Sequence, residues 1–319
     1  MKSITFLFCL LLTIPASAQE LFPHNEPASS IPRNVLGVRV FVDSYDENGM
    51  QRNLGALRLM YGLTPRLSLF ATGTVSNHHS KYLPTSLIIH THTTSGNTNY
   101  QTGTITRGLK YPYRFNGVHL YGKYRFLTND GQNTHFRMAA YAEHSFITAA
   151  HDETEPNLLD DTKGSGAGII ATYLKKHFAV SLTSGVIIPG KYTETTPDFF
   201  GGELHTVLKY GRALNYNLSF GYLVYPPKYR RYSETNINVY LEFMGKSYQT
   251  AQVTQNNVDI KPQTDLLLGG NYVEFHPGIQ AIIYSNLRID FSVGIPMINK
   301  SYTRYYPVYM LGIQRYFFL

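Results

Sequence analysis

The chain has 319 residues with only 15% charged, 28 Lys and Arg against 21 Asp and Glu, for a formal charge of +7. That balance would suit nucleic acid or an anionic surface, but the cations are spread singly along a chain that reads as exported, which argues against a nucleic-acid partner. The one cysteine, Cys9, falls in the N-terminal leader, so disulfides, thiol catalysis and thiolate metal sites are excluded from the mature protein.

Residues 1–18 read as a cleaved secretory signal: Lys2, an apolar run from Ile4 to Ile14, and Ala16-Ser17-Ala18 before Gln19. Residues 19–33 are expected to be a short periplasmic segment, too small for a plug domain. No later stretch approaches ~18 consecutive apolar residues, so a membrane-embedded form must be a barrel. The 26 Tyr, 18 Phe and 26 Gly fit strands and membrane interfaces.

From residue 34 onward the dominant signal is period-2 alternation. In 36–42, Leu36, Val38, Val40 and Val42 oppose Gly37, Arg39 and Phe41; in 67–75, Leu67, Leu69, Ala71, Gly73 and Val75 oppose Ser68, Thr72 and Thr74. Stretches 118–126 and 136–143 repeat the pattern, with His119, Lys123 and Arg125, then Arg137, Tyr141 and Glu143, opposite the apolar face. A soluble sandwich also alternates, but its polar face carries more charge than these strands do.

Connections alternate between long polar stretches (44–51, 76–112, 148–163, 189–202, 251–263, 297–303) and short turns near 63–66, 128–131, 175–176, 226–228 and 284–286. Six long and five short connections predict an all-β fold: a transmembrane antiparallel β-barrel of 12 strands over 34–319. Residues 204–224 keep one phase, but a turn at Gly211-Arg212 would split them. Because single-chain bacterial barrels have even strand numbers, that split implies 14 strands. The last strand ends Tyr316-Phe317-Phe318-Leu319, resembling the C-terminal signal read by the outer-membrane assembly machinery, although Leu319 stands where Phe is usual.

Leu241 to Gly245, His276 to Gln280, Gly294-Ile295-Pro296, Leu311 to Phe318 and, near the start, Tyr61 to Leu69 resemble the outer-membrane family named for the MetA pathway of phenol degradation. The resemblance implies a bacterial outer-membrane channel or transporter for small, often hydrophobic solutes; the matching segments are landmarks of strands and turns, none a reaction signature, and a barrel in contact with lipid and lipopolysaccharide, with no enzymatic activity or cofactor, is expected.

Eight residues are candidates to line the lumen: Arg39, Arg58, His119, Lys123, Arg125, Arg137, Glu143 and Glu242. An outward Arg at mid-bilayer costs roughly 2–4 kcal/mol, so these should point inward. There they either set a field that prefers anions or pair with one another and fill a narrow barrel. In the second case the protein would be a structural or adhesive barrel that works through its long loops, above all 76–112.

His78 and Ser80 have the spacing of a His-activated Ser on one strand face, as in outer-membrane phospholipases, but Lys81-Tyr82 depart from that motif and no third group is evident. His90 and His92 lie among Thr, Ser and Asn, which does not complete a metal site. Asp43, Asp46 and Glu47, and the run His151 to Glu155 with Asp160-Asp161, read as solvated acidic loops without the ordered spacing of a calcium loop. Gly245-Lys246-Ser247 lacks the leading Gly of a phosphate loop, since Tyr240 stands there. No catalytic or metal residue is assigned.

Overall fold

The computed structural model describes residues 22–78, 111–147, 153–197, 201–228, 231, 233–262, 265–301 and 304–319, with the backbone alone at 93–94, 97–98 and 196–197. The expected signal at 1–18, Ser80, His90, His92 and His151 lie outside the described residues, as does most of 76–112.

Twelve strands close an antiparallel barrel. They are β1 (Val35–Glu47), β2 (Met50–Gly62), β3 (Leu67–Ser76), β4 (Arg114–Asp130), β5 (Thr134–Ser145), β6 (Gly164–Lys175), β7 (Phe178–Pro189), β8 (Ala213–Tyr225), β9 (Asn236–Tyr248), β10 (Gly270–Ile283), β11 (Leu287–Lys300) and β12 (Val308–Phe318). Closure comes from β1 on β12, in register from Val35 opposite Phe318 to Ser44 opposite Tyr309. Each strand pairs on both sides, which removes the free edges that an open sheet would expose.

The polarity is inside-out relative to a soluble barrel. Val40, Leu57, Leu182 and Leu311 stand about half-exposed on the outer face, whereas Arg39, Thr72, Ser181, Glu242 and Asp290 are buried within. Apolar side chains outward over every strand and polar ones inward is the pattern that hydrocarbon requires of a transmembrane barrel.

Two expected loops turn out to be largely barrel strand. β1 and β2 run on through 44–51, joined only by Asn48 and Gly49, both at positive φ (52° and 84°). β11 likewise continues to Lys300. Residues 204–224 are neither one barrel strand nor two: Glu203–Lys209 leaves the barrel and pairs with Lys191–Pro197 and Gln252–Gln255, the latter also pairing with Val258–Ile260. This four-stranded sheet, at the end carrying the long connections, packs Leu208, Tyr210, Ala251, Val253 and Leu267 into its own small core. The barrel therefore stays at twelve strands despite the break at Tyr210–Arg212.

Candidate functional site

The barrel interior is occupied from both ends. Residues 22–33, expected as a periplasmic segment, run through the lumen as an extended strap held by strands around most of the wall. A strap without secondary structure must find partners for its backbone polar groups. The N–H groups of His24 and Asn25 donate to Glu242, that of Ala28 to Thr172, and that of Ile31 to Ser68. The carbonyls of Phe22, Pro23 and Pro27 accept from Arg288, Arg39 and Lys123, at 2.8, 2.7 and 2.7 Å. Apolar strap residues seat in matching pockets: Phe22 against Ala179 and Tyr240, Ala28 against Ala139 and Ile170, Ile31 against Met60 and Phe70.

Of the three ionisable strap side chains Arg33 is exposed, and the other two face the lumen. Glu26 bridges Arg58 (2.8 Å) and Lys123 (3.3 Å). Burial would raise its pKa, but these cations, with Arg39 beyond, hold it below the usual carboxylate value. His24 bonds Ser292 at 2.7 Å and lies with its ring centre 4.5 Å from that of His276. Burial, and then the nearby His276, Arg39 and Arg288, push its imidazole well below the ordinary 6.5.

From the long-loop end, residues 153–162 fold inward as a lid. The expectation of a solvated acidic loop fails here, because Glu155, Asp160 and Asp161 are all buried. Glu155 accepts from Lys246 at 2.9 Å and from Arg304 at 2.6 Å. Although burial works the other way, Arg304 and Lys246 hold the Glu155 carboxyl far below its usual range. Asp160 bonds His78 (2.7 Å) and Asn116 (2.9 Å), and a bulge in β4 turns Asn116 inward to reach it. Leu158 inserts among Ile187, Ala213, Tyr248 and Tyr272.

Between strap and lid lies a cavity of about 280 Å³. Its strap side is formed by Pro23 and His24, its lid side by Pro156 to Leu159, and its walls include Arg39, Asp43, Arg58, Lys246, Glu274, His276 and Arg304 beside Phe41, Leu54, Met244 and Met310. A second cavity of about 110 Å³, toward the long loops, shares Asp43, Leu54, Asn157, Arg304 and Val308 with it.

The residues singled out by alternation occupy this interior mostly as paired groups. Arg39 meets Asp290 at 3.5 Å, His119 meets Glu143 at 2.9 Å, and Glu242 takes two strap amides and the Ser219 hydroxyl. Arg137 bonds Asp130 and Ser29, and Arg125 donates to the Pro65 carbonyl near the short turns, away from the cavity. Sequence reasoning missed Glu274, His276, Arg288, Asp290 and Arg304. The spacings Glu274-x-His276 and Arg288-x-Asp290 were the available signal, each placing two ionisable groups on one strand face. His78 pairs with Asp160 across the upper cavity rather than standing apart. Among the described residues no group of three or more His, Cys, Asp or Glu could hold a metal ion.

No protein-family model matches the chain, and no curated protein matches it. Among solved structures, the fold is similar to an outer membrane channel from Pseudomonas putida F1, with a TM-score of 0.55 at 14% identity over 93% of this chain and 100% of the other. The NanC porin aligns over 89% of this chain and 99% of its own, at 8% identity and a TM-score of 0.45. A variant of the TodX monoaromatic hydrocarbon channel aligns over 89% of each chain, at 10% identity and a TM-score of 0.36. The first of these likenesses is one of fold: a closed transmembrane β-barrel.

Proposed function

We propose that the chain is a bacterial outer-membrane channel for small molecules, closed at rest by the strap on the short-turn side and the lid on the long-loop side. The observation that carries this reading is the cavity between two inserted segments, neither of which is a barrel strand. A barrel that was only structural would need no space between its fillings. The resemblance to the phenol-degradation family and the apolar part of the wall, including Phe41, Leu54 and Met310, support solutes with an apolar portion. The eight inward residues then serve mainly to anchor the strap and balance charge, and the C-terminal strand is the part offered to the assembly machinery.

Planar-bilayer recordings test this directly. The full chain should show small or intermittent conductance, and a variant lacking residues 22–31 should show steady ohmic steps. A strap-free barrel that folds yet stays silent would overturn the reading. The second reading, a barrel acting through its loops, draws support from the separate sheet built on Leu208, Tyr210 and Val253 outside the barrel. It predicts that removing 79–110 abolishes function while leaving permeability unchanged.

A further inference from the structure

Asp43 stands apart from the other carboxylates of the lumen. Glu26, Glu143, Glu155, Glu274 and Asp290 each face at least one cation or imidazole, and Glu242 is held by three hydrogen bonds. Among the described residues Asp43 has neither an ion pair nor a hydrogen bond, and its Oδ1 is buried. The register explains why. On its own strand the neighbours that share its face are Phe41 and Tyr45, and the residues directly across are Leu54 on β2 and Met310 on β12. Phe41, Leu54 and Met310 carry no donor, and the Tyr45 hydroxyl makes no bond to Asp43.

A desolvated carboxylate without a hydrogen bond, its charge offset only at a distance by His276, Arg39 and His78, is costly and is seldom kept without a use. Its place gives that use a direction. Asp43 lines both cavities, at the point where they share Leu54, Asn157, Arg304 and Val308, and so faces the route between the long loops and the inner chamber. A second acceptor, Asn215 Oδ1, lines the larger cavity and is also buried without a donor. The cations on the same wall are already committed: Arg304 and Lys246 to Glu155, Arg58 to Glu26. The unpartnered atoms of the chamber thus include two acceptors beside an apolar wall.

We propose that this chamber binds small organic amines, with the ammonium group on Asp43 and the apolar body against Phe41, Leu54 and Met310. The ammonium supplies the donors that Asp43 lacks, and an aromatic neighbour on either side of it along the strand suits a cation. The proposal deepens the channel reading by naming its solute class. It also runs against the anion preference that the inward Arg and Lys suggest from sequence, because those residues are in direct ion pairs and, among the described residues, Asp43 is not.

The test is calorimetric titration of the full chain in detergent micelles with benzylammonium, and with benzyl alcohol and benzoate as the neutral and anionic counterparts. Benzylammonium should bind at least tenfold more tightly than either. Asp43→Asn should erase that preference, and Asp43→Glu should keep part of it, with folding of each variant checked by its heat-dependent shift in gel mobility. Equal or weaker binding of benzylammonium than of benzyl alcohol by the wild type overturns the proposal, and so does an unchanged preference in folded Asp43→Asn. The wild-type comparison stands by itself if that variant does not fold. Binding in a protein that never conducts would leave the amine site and remove the channel, and conductance without amine preference would do the reverse.

Discussion

Glu155 illustrates what a single carboxylate does in this lumen. It faces Lys246 and Arg304 at once, with its side chain only 5% exposed, and the Tyr272 hydroxyl donates to it at 2.9 Å. Glu155→Gln would leave two cations facing a neutral amide. Breaking a buried pair typically costs about 3–5 kcal/mol, and we expect the lower end because Arg304 keeps Glu274 at 3.3 Å. A lowered midpoint of urea unfolding in micelles measures it; an unchanged midpoint would show that the lid contributes nothing to the fold. Gly294 works through shape instead. A Cβ there would lie 2.5 Å from the His276 ring, so Gly294→Ala must displace the imidazole that packs against His24. The same unfolding assay should register about 1–3 kcal/mol of overpacking strain. Alternation led to the expectation that Arg39, Lys123 and Glu242 point inward, because period 2 is a local property. Which carboxylate each Arg meets was hidden, since Arg39 and Asp290 are 251 positions apart.

At the scale of elements, the strap was the least legible part of the chain. Its twelve residues carry Pro23, Pro27 and Pro32 and no periodicity, so they read as a lead-in to the first strand. Its order comes from partners on strands far away in sequence, such as Ser68, Thr172 and Glu242. The lid was missed for a related reason: acidic, polar loops are normally solvated, and it is partners on distant segments, among them Lys246 and Arg304, that make burial of Glu155 tolerable. Docking of the strap should depend on pH. In the docked strap His24 resists protonation, so docking is fully favoured above the free-imidazole value near 6.5 and weakens as pH falls below it, by up to tenfold per unit until the depressed docked value is passed. Glu26 adds a second loss of docking below about 4.5, because its docked pKa is lowered. A cysteine introduced as Ser29→Cys would be the only thiol of a chain freed of its leader. Its labelling by a soluble maleimide, corrected for the pH dependence of the thiolate, should rise from pH 7.5 to pH 5. A flat or falling corrected rate would show that His24 does not control the strap.

For the whole molecule, strand count, closure and the two polarities of the wall follow from alternation repeated twelve times, a redundancy that absorbs an error in any one connection. Lumen charge has no such redundancy, because it depends on what fills the barrel. With the strap in place, Glu26 offsets Arg58 and Lys123, while strap carbonyls cover Arg39, Lys123 and Arg288. Removing residues 22–31 strips away that carboxylate and those carbonyls and leaves the wall cations bare, with only Asp290 still set against Arg39 and Arg288. The strap-free barrel should therefore prefer anions even though the intact chamber presents Asp43. In planar bilayers under a tenfold KCl gradient its reversal potential should take the sign of chloride selectivity. The preference should fade toward 1 M salt as the screening length falls from about 10 Å to about 3 Å. A cation-selective strap-free barrel would mean that Asp43 and Glu274 outweigh the uncovered Arg and Lys, and that the strap does not set the charge of the open path.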